Sequence, residues 1–274
     1  MANTENLERL QLLLQLSHEL GREHRSLAIL AEGNTSARLA GDAFLVKSSG
    51  ANLATLSEQD VVECRASILL ALFDQPQISD AEVDNALLSS RVDPASKKPS
   101  VEALFHAWLL TLPDVEFAGH AHPQAVNSIL CSPRAKEFAI KRLFPDEVVC
   151  CDVQSVFISY TDPGLRLARA IRKEVTVFID KFNRSPRVIL LENHGIITLG
   201  RTERAVSSAM LMAEKSANIW LGAAALGGPV FMSAENVTRI AGRPDEALRR
   251  NILKLRKEST LCSKVSLPAS ARNY

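Results

Sequence analysis

Residues 100–123 read SVEALFHAWLLTLPDVEFAGHAHP, and the reading of the fold starts here. Ser100 can cap a helix from Ser100 to Leu112, with Glu102 in its first turn. Val115 to His122 then reads as a strand, and Pro123 can stop it or start the next helix. Toward the C-terminus the alternation continues. A helix follows Pro123, a strand is predicted over Val148 to Val153, and a long helical pattern from Pro163 to Phe182 leads into a strand from Arg187 to Leu191. Asn193-His194-Gly195 forms a turn before the strand Ile196 to Leu199, with Gly195 suited to a tight reversal. Helix alternating with strand is the rhythm of an α/β fold.

On the N-terminal side, Leu7, Leu10, Leu13, Leu14 and Leu20 recur at helical spacing and predict an amphipathic helix ending near Gly21. Gly33-Asn34-Thr35-Ser36 is turn chemistry, Ala43 to Val46 reads as a short strand, and Ser48-Ser49-Gly50 closes it as a polar turn. Ser57-Glu58-Gln59-Asp60 resembles a helix cap before Val61 and Val62, with helical patterns at 66–73 and 80–90. Past residue 200, helices are predicted over 202–226, 233–241 and 244–256, ahead of a tail rich in Ser, Lys and Ala.

The chain has 274 residues, 46% hydrophobic and 23% charged, which is enough apolar mass for a sizeable core. It is read as a single domain over 1–274. Lys and Arg (32) nearly balance Asp and Glu (31), so no global field steers the chain onto nucleic acid or an anionic membrane. The five cysteines are odd in number and lack a C-x-x-C pair, against both a disulfide framework and a thiolate zinc site. Glu5, Glu8, Arg9, His18 and Glu19 interrupt the first apolar run, which is therefore read neither as a signal peptide nor as a membrane span. A cytoplasmic location is expected.

On a strand, His120 and His122 project from one face about 6.6 Å apart, so both imidazoles can reach one ion. Alone, the pair also fits two polar histidines at a strand end. His194 sits in a turn between apolar strands, where a scaffold presents side chains to ligands, although a lone loop histidine is commonly just solvated. Three histidines on zinc would leave the open fourth position that catalytic zinc requires. Glu102 taken alone is a capping carboxylate, and His106, one turn later, reads as a core or supporting histidine. The basic run Arg249, Arg250, Lys254, Arg256, Lys257 reads as a solvated helix face.

Gly33-Asn34-x-Ser36, Ser49-Gly50, Pro99-Ser100-x-Glu102 with Phe105-His106, His120-x-His122-Pro123, Tyr160 with Pro163-Gly164, and Asn193-His194-Gly195 follow in order. Together they resemble the class II aldolase/adducin family over roughly residues 5–225, with 226–274 as a helical extension. Val46-Lys47-Ser48-Ser49-Gly50 and Pro99-Ser100-Val101-Glu102 look closest to the aldolase domain fused to an alcohol dehydrogenase in rhamnose breakdown.

The resemblance implies a three-layer α/β/α sandwich with a central mixed sheet. It implies zinc, or another divalent metal such as manganese or cobalt, on His120, His122 and His194, with Glu102 the fourth ligand at rest. A ketose phosphate would displace Glu102, which then becomes the general acid/base at C3 while zinc stabilises the enediolate. Tyr160 aligns with a tyrosine that reaches a neighbouring subunit's site and handles the proton on the C4 oxygen, which implies a homotetramer. Asn34, Ser49, Gly50 and Ser100 match the phosphate cradle, and Val101 departs from it where fuculose-phosphate aldolase-like sequences carry a second serine. Lys47 could add charge, though its strand parity is also compatible with pointing elsewhere. Tyr274 resembles a tail tyrosine that folds over the site in some aldolases, although a frayed terminus is the default reading. The implied reaction is aldolase-type cleavage of a phosphorylated ketose. Epimerisation, dehydration or decarboxylation on the same scaffold is the alternative, and a non-catalytic adducin-like module the second.

Overall fold

The segment from Phe117 to Ala121 is buried at every position and forms the middle strand of the sheet. Alternate strand residues point to opposite faces, and here both faces are apolar. Phe117 and Ala121 enter one core, Ala118 the other. A computed structural model describes residues 2–245. In chain order its elements begin with α1 (Ala2–Leu20), β1 (Asn34–Arg38), β2 (Ala43–Lys47), β3 (Val61–Arg65), α2 (Ala66–Leu70), α3 (Asp80–Ser90) and α4 (Ala103–Leu109). The middle holds β4 (Phe117–Ala121), α5 (Gln124–Leu130), α6 (Ala135–Ile140), α7 (Pro145–Cys151) and β5 (Val156–Ile158). There follow α8 (Leu165–Phe182), β6 (Val188–Leu191), β7 (Gly195–Gly200), α9 (Glu203–Ala225) and α10 (Ala234–Gly242).

The seven strands run in the order β3-β2-β1-β4-β7-β6-β5, antiparallel except for the parallel pair β5–β6. Leu13 and Leu16 of α1, Val126 of α5, Phe138 of α6, Val148 of α7, Met210 of α9 and Val237 of α10 build the core on one face. Leu69 of α2, Leu87 of α3, Leu104 of α4 and Ile171 of α8 build the other. The result is the expected three-layer α/β/α arrangement on a mixed sheet. Each large aliphatic or aromatic side chain taken from water into these cores contributes about 1.5–3 kcal/mol.

Three local expectations need correction. Val148 to Val153 is not a strand: α7 covers Pro145–Cys151, with Pro145 in its first turn beside Asp146 and Glu147. Its apolar residues are buried between α9 and α10, and a short apolar run reads the same in a buried strand or a buried helix. The strand here is Val156–Ile158, which was not predicted. Of the turn assigned to 33–36 only Gly33, with φ 72°, lies outside a strand, since Asn34–Arg38 is β1. Ser57 and Asp60 do form a capping box, but it closes one 3-10 turn and Val61 opens β3. The helix predicted at 244–256 lies, past residue 245, outside the described residues, as do the basic run from Arg249 and Tyr274. No described helix is long and apolar enough to cross a membrane.

Candidate metal centre

Register places three strand ends side by side: His120 on β4 lies opposite Asn34 on β1 and Ile197 on β7. His120 is fully buried and its Nδ1–H donates to the Ile196 carbonyl at 3.0 Å, which leaves Nε2 to face Glu102 and His122. Such a backbone partner is what fixes the tautomer of a metal-binding histidine. His122 Nε2 lies 3.0 Å from His120 Nε2, and its backbone N–H is held by the Leu27 carbonyl at 2.9 Å. A neighbour not foreseen from the sequence, Glu32, places Oε1 3.7 Å from His122 Nδ1.

His194 arrives from the β6–β7 turn. Asn193 takes the left-handed conformation there, with φ 54°, and Asn127 Nδ2 donates to the His194 carbonyl at 3.0 Å. Gly195 serves proximity rather than reversal. A Cβ on it would stand 2.5 Å from the Ala121 carbonyl oxygen and 2.7 Å from His122 Cδ2. A side chain would therefore push β7 off the two histidines.

Glu102 stands at the N-cap of α4, with Oε1 3.2 Å from His120 Nε2 and 3.6 Å from His194 Nε2. The three histidines offer ligand atoms that all lie within 4.8 Å of one another. Ligands about 2.0–2.1 Å from a tetrahedral ion are separated by roughly 3.4 Å, so the donor set fits a divalent ion.

Electrostatics within the centre are strongly coupled. Burial pushes the Glu102 carboxyl up, but the His120 charge and hydrogen bonds from His120 and Asn34 outweigh it and hold the group well below the usual carboxylate range. Burial opposes the proton on His120, and the Glu102 carboxylate beside it more than compensates, so that imidazole is raised. Burial and then His120 lower His122, and the same causes pull His194 down to about 4. His106, wholly buried, is pushed down to about 3.

These directions predict acid sensitivity of the metal-free protein. Between pH 6.5 and about 4, His106 and His194 stay neutral when folded yet bind protons when unfolded, so the unfolded state gains stability as pH falls. Raised His120 is protonated in both states below 6.5 and adds no slope there. Urea midpoints measured from pH 7 down to 4.5 should fall steadily, by an amount on the order of a few kcal/mol in unfolding free energy. A flat profile would contradict the assignment.

The residues expected to cradle phosphate divide into two groups. Ser49, Gly50 and Ser100 lie on neighbouring loops, joined by a bridge between Ser48 and Pro99 and by Ser49 N–H donating to the Lys98 carbonyl at 2.9 Å. Gly50 has φ 77° with open space above its Cα, and Ser100 Oγ accepts from Glu102 N–H at 3.3 Å. Asn34 is buried and donates from Nδ2 to Glu102 Oε2 at 3.1 Å. Lys47 turns inward and donates from Nζ to the carbonyls of Ala31 and Ala51. Tyr160 is exposed on the loop after β5, its hydroxyl 3.3 Å from Asp162 Oδ1 and its N–H on Glu192 Oε2. Among the described residues its hydroxyl bonds Asp162 and none of the three histidines.

The family model for the class II aldolase and adducin N-terminal domain matches residues 11–221. The chain belongs to this family. A curated relative, the uncharacterized oxidoreductase YuxG of Bacillus subtilis, is 28% identical over 157 residues, 57% of this chain. The match spans only 20% of that protein's length. Among solved structures, the N-terminal class II aldolase domain of a conserved protein from Thermoplasma acidophilum is 23% identical, with TM-score 0.63, covering 77% of this chain and 93% of that one. L-fuculose-1-phosphate aldolase from Thermus thermophilus is 19% identical, with TM-score 0.56 over 81% and 99%. At such identities the structures establish the class II aldolase fold.

Proposed function

We propose that this class II aldolase family member is a metal-dependent, aldolase-type lyase, with zinc as the favoured ion, acting on a phosphorylated ketose. The convergence of three imidazoles and the Glu102 carboxylate carries this reading. His120, His122 and His194 would hold the ion. A bound divalent ion supplies positive charge against oxyanion character next to the reacting carbon.

The chain's own groups account for the rest. Glu102 rests as a carboxylate and exchanges a proton with C3 of the donor half. Tyr160, contributed by a neighbouring copy in a cytoplasmic homotetramer, exchanges the proton on the C4 oxygen as the C3–C4 bond breaks or forms. Ser49, Gly50 and Ser100, with Asn34 behind them, receive the phosphate on backbone N–H groups and small hydroxyls. The similarity to fuculose-1-phosphate aldolase supports a sugar-phosphate substrate, and the single-domain reading goes with it.

Incubation with a panel of ketose 1-phosphates should release an aldehyde and a three-carbon ketose phosphate, and chelation should abolish that release. A C4-inverted pentulose phosphate, a dehydrated product or carbon dioxide would replace the lyase assignment by the matching alternative. No turnover together with no stabilisation by zinc, manganese or cobalt would favour a binding module.

A further inference from the structure

Asn34 and Ser36 lie two residues apart on β1 and face α4, while Glu102 and His106 lie four residues apart at the start of α4. Two strand residues span about 6.6 Å and four helix residues about 6 Å, so two rungs can close at once between the strand and the helix. Both do. Asn34 Nδ2 donates to Glu102 Oε2 at 3.1 Å, and Ser36 Oγ lies 2.6 Å from His106 Nδ1.

We infer that the Ser36–His106 pair is a positioning device that sets where the Glu102 carboxylate stands relative to His120 and His194. The inference rests on the reading of Glu102 as part of the metal centre. Three observations carry it. First, β1 is the common frame: it pairs directly with β4, Asn34 opposite His120, and Thr35 ties its other face to Ser17 of α1 at 2.7 Å. Whatever is fixed to β1 is therefore fixed relative to His120. Second, Ser36 and His106 are both fully buried, and the Phe105 ring stacks on the imidazole at 4.7 Å between centroids. Third, His106 Nε2 makes no hydrogen bond among the described residues. A buried polar group costs stability when it is incompletely paired, so an apolar pair of similar volume would hold α4 on the sheet as well or better. Apolar packing would leave the helix free to slide, whereas a directional hydrogen bond one turn below Glu102 removes that freedom.

Cobalt(II) affinity by chelator competition, the visible spectrum of the cobalt-loaded protein, and the melting temperature of the metal-free protein test the proposal. Ser36→Ala and His106→Leu should each weaken cobalt binding about 10-fold and shift the spectrum, as loss of supporting contacts around metal ligands does. His106→Gln, which retains a polar group for Ser36, should lie closer to wild type. Ser90→Ala removes another buried hydroxyl, one that donates to the Leu87 carbonyl far along the chain in α3, and should lower the melting temperature without changing affinity or spectrum. Should His106→Leu not fold, Ser36→Ala carries the test alone. Wild-type affinity and an unchanged spectrum in Ser36→Ala overturn the inference while leaving the metal centre standing. A wild-type protein that takes up no cobalt removes the metal centre itself, and the inference with it.

Discussion

His122→Ala is expected to weaken divalent-metal binding by about 100-fold or more while the fold survives. Removing a supporting contact around a metal ligand already costs 10–100-fold, and this substitution removes a proposed ligand itself. His122 suits the experiment better than its neighbour. Its side chain is 23% exposed and its backbone is held independently by the Leu27 carbonyl. His120 is fully buried and partners the Ile196 carbonyl, so its removal would open a cavity and orphan an acceptor. Linkage gives the size of the signal: at a zinc concentration 100 times the wild-type Kd, wild type gains about 2.7 kcal/mol of stability. A variant with 100-fold weaker affinity gains about 0.4 kcal/mol at the same concentration. Metal analysis after dialysis and thermal shift with added zinc both read the difference. Full zinc retention by the variant would remove His122 from the ligand set.

The convergence of these four side chains is legible because each sits where local sequence controls direction. His120 and His122 share strand parity before a proline, and His194 sits in a short turn. Glu102 falls at a helix start, and a helix start fixes side-chain direction almost as tightly. What the sequence hid depends on pairing between distant segments. Asn34-Thr35-Ser36 looks like turn chemistry because it is polar, yet it forms a buried strand whose side chains reach Glu102, Ser17 and His106. No local window contains those partners. The same holds for Gly195, whose proximity to Ala121 and His122 follows from the β4–β7 register and not from its own turn. Glu32 is hidden for a like reason, since nothing before Gly33 announces a carboxylate near a histidine 90 positions later. The α7 segment failed differently: its composition suits strand or helix, and packing between α9 and α10 decided.

Glu102→Gln should keep the metal and lose proton exchange at the donor carbon, by about 10²–10⁴-fold, the usual worth of a positioned acid or base. The substitution preserves volume, and the amide oxygen can still accept from Asn34 Nδ2. All three imidazoles remain, so affinity should change far less than in His122→Ala. What disappears is a carboxylate that exchanges a proton without a change of place. Glutamine cannot take that proton at any pH near neutrality. Loss of activity alone would not separate a proton-transfer role from a fault in aldehyde binding, so the informative measurement omits the aldehyde. Dihydroxyacetone phosphate is incubated with enzyme in deuterated water, and hydrogen–deuterium exchange at the hydroxymethyl carbon is followed by NMR. Wild type should exchange in a metal-dependent way and Glu102→Gln should not, with equal metal content in the two samples. The Tyr160 hydroxyl bonds Asp162 rather than a histidine, and the residue is assigned to the other half of the reaction, so Tyr160→Phe should leave this exchange nearly intact while lowering full turnover. Exchange at the wild-type rate in Glu102→Gln would pass the proton to another group and leave the carboxylate as a ligand only.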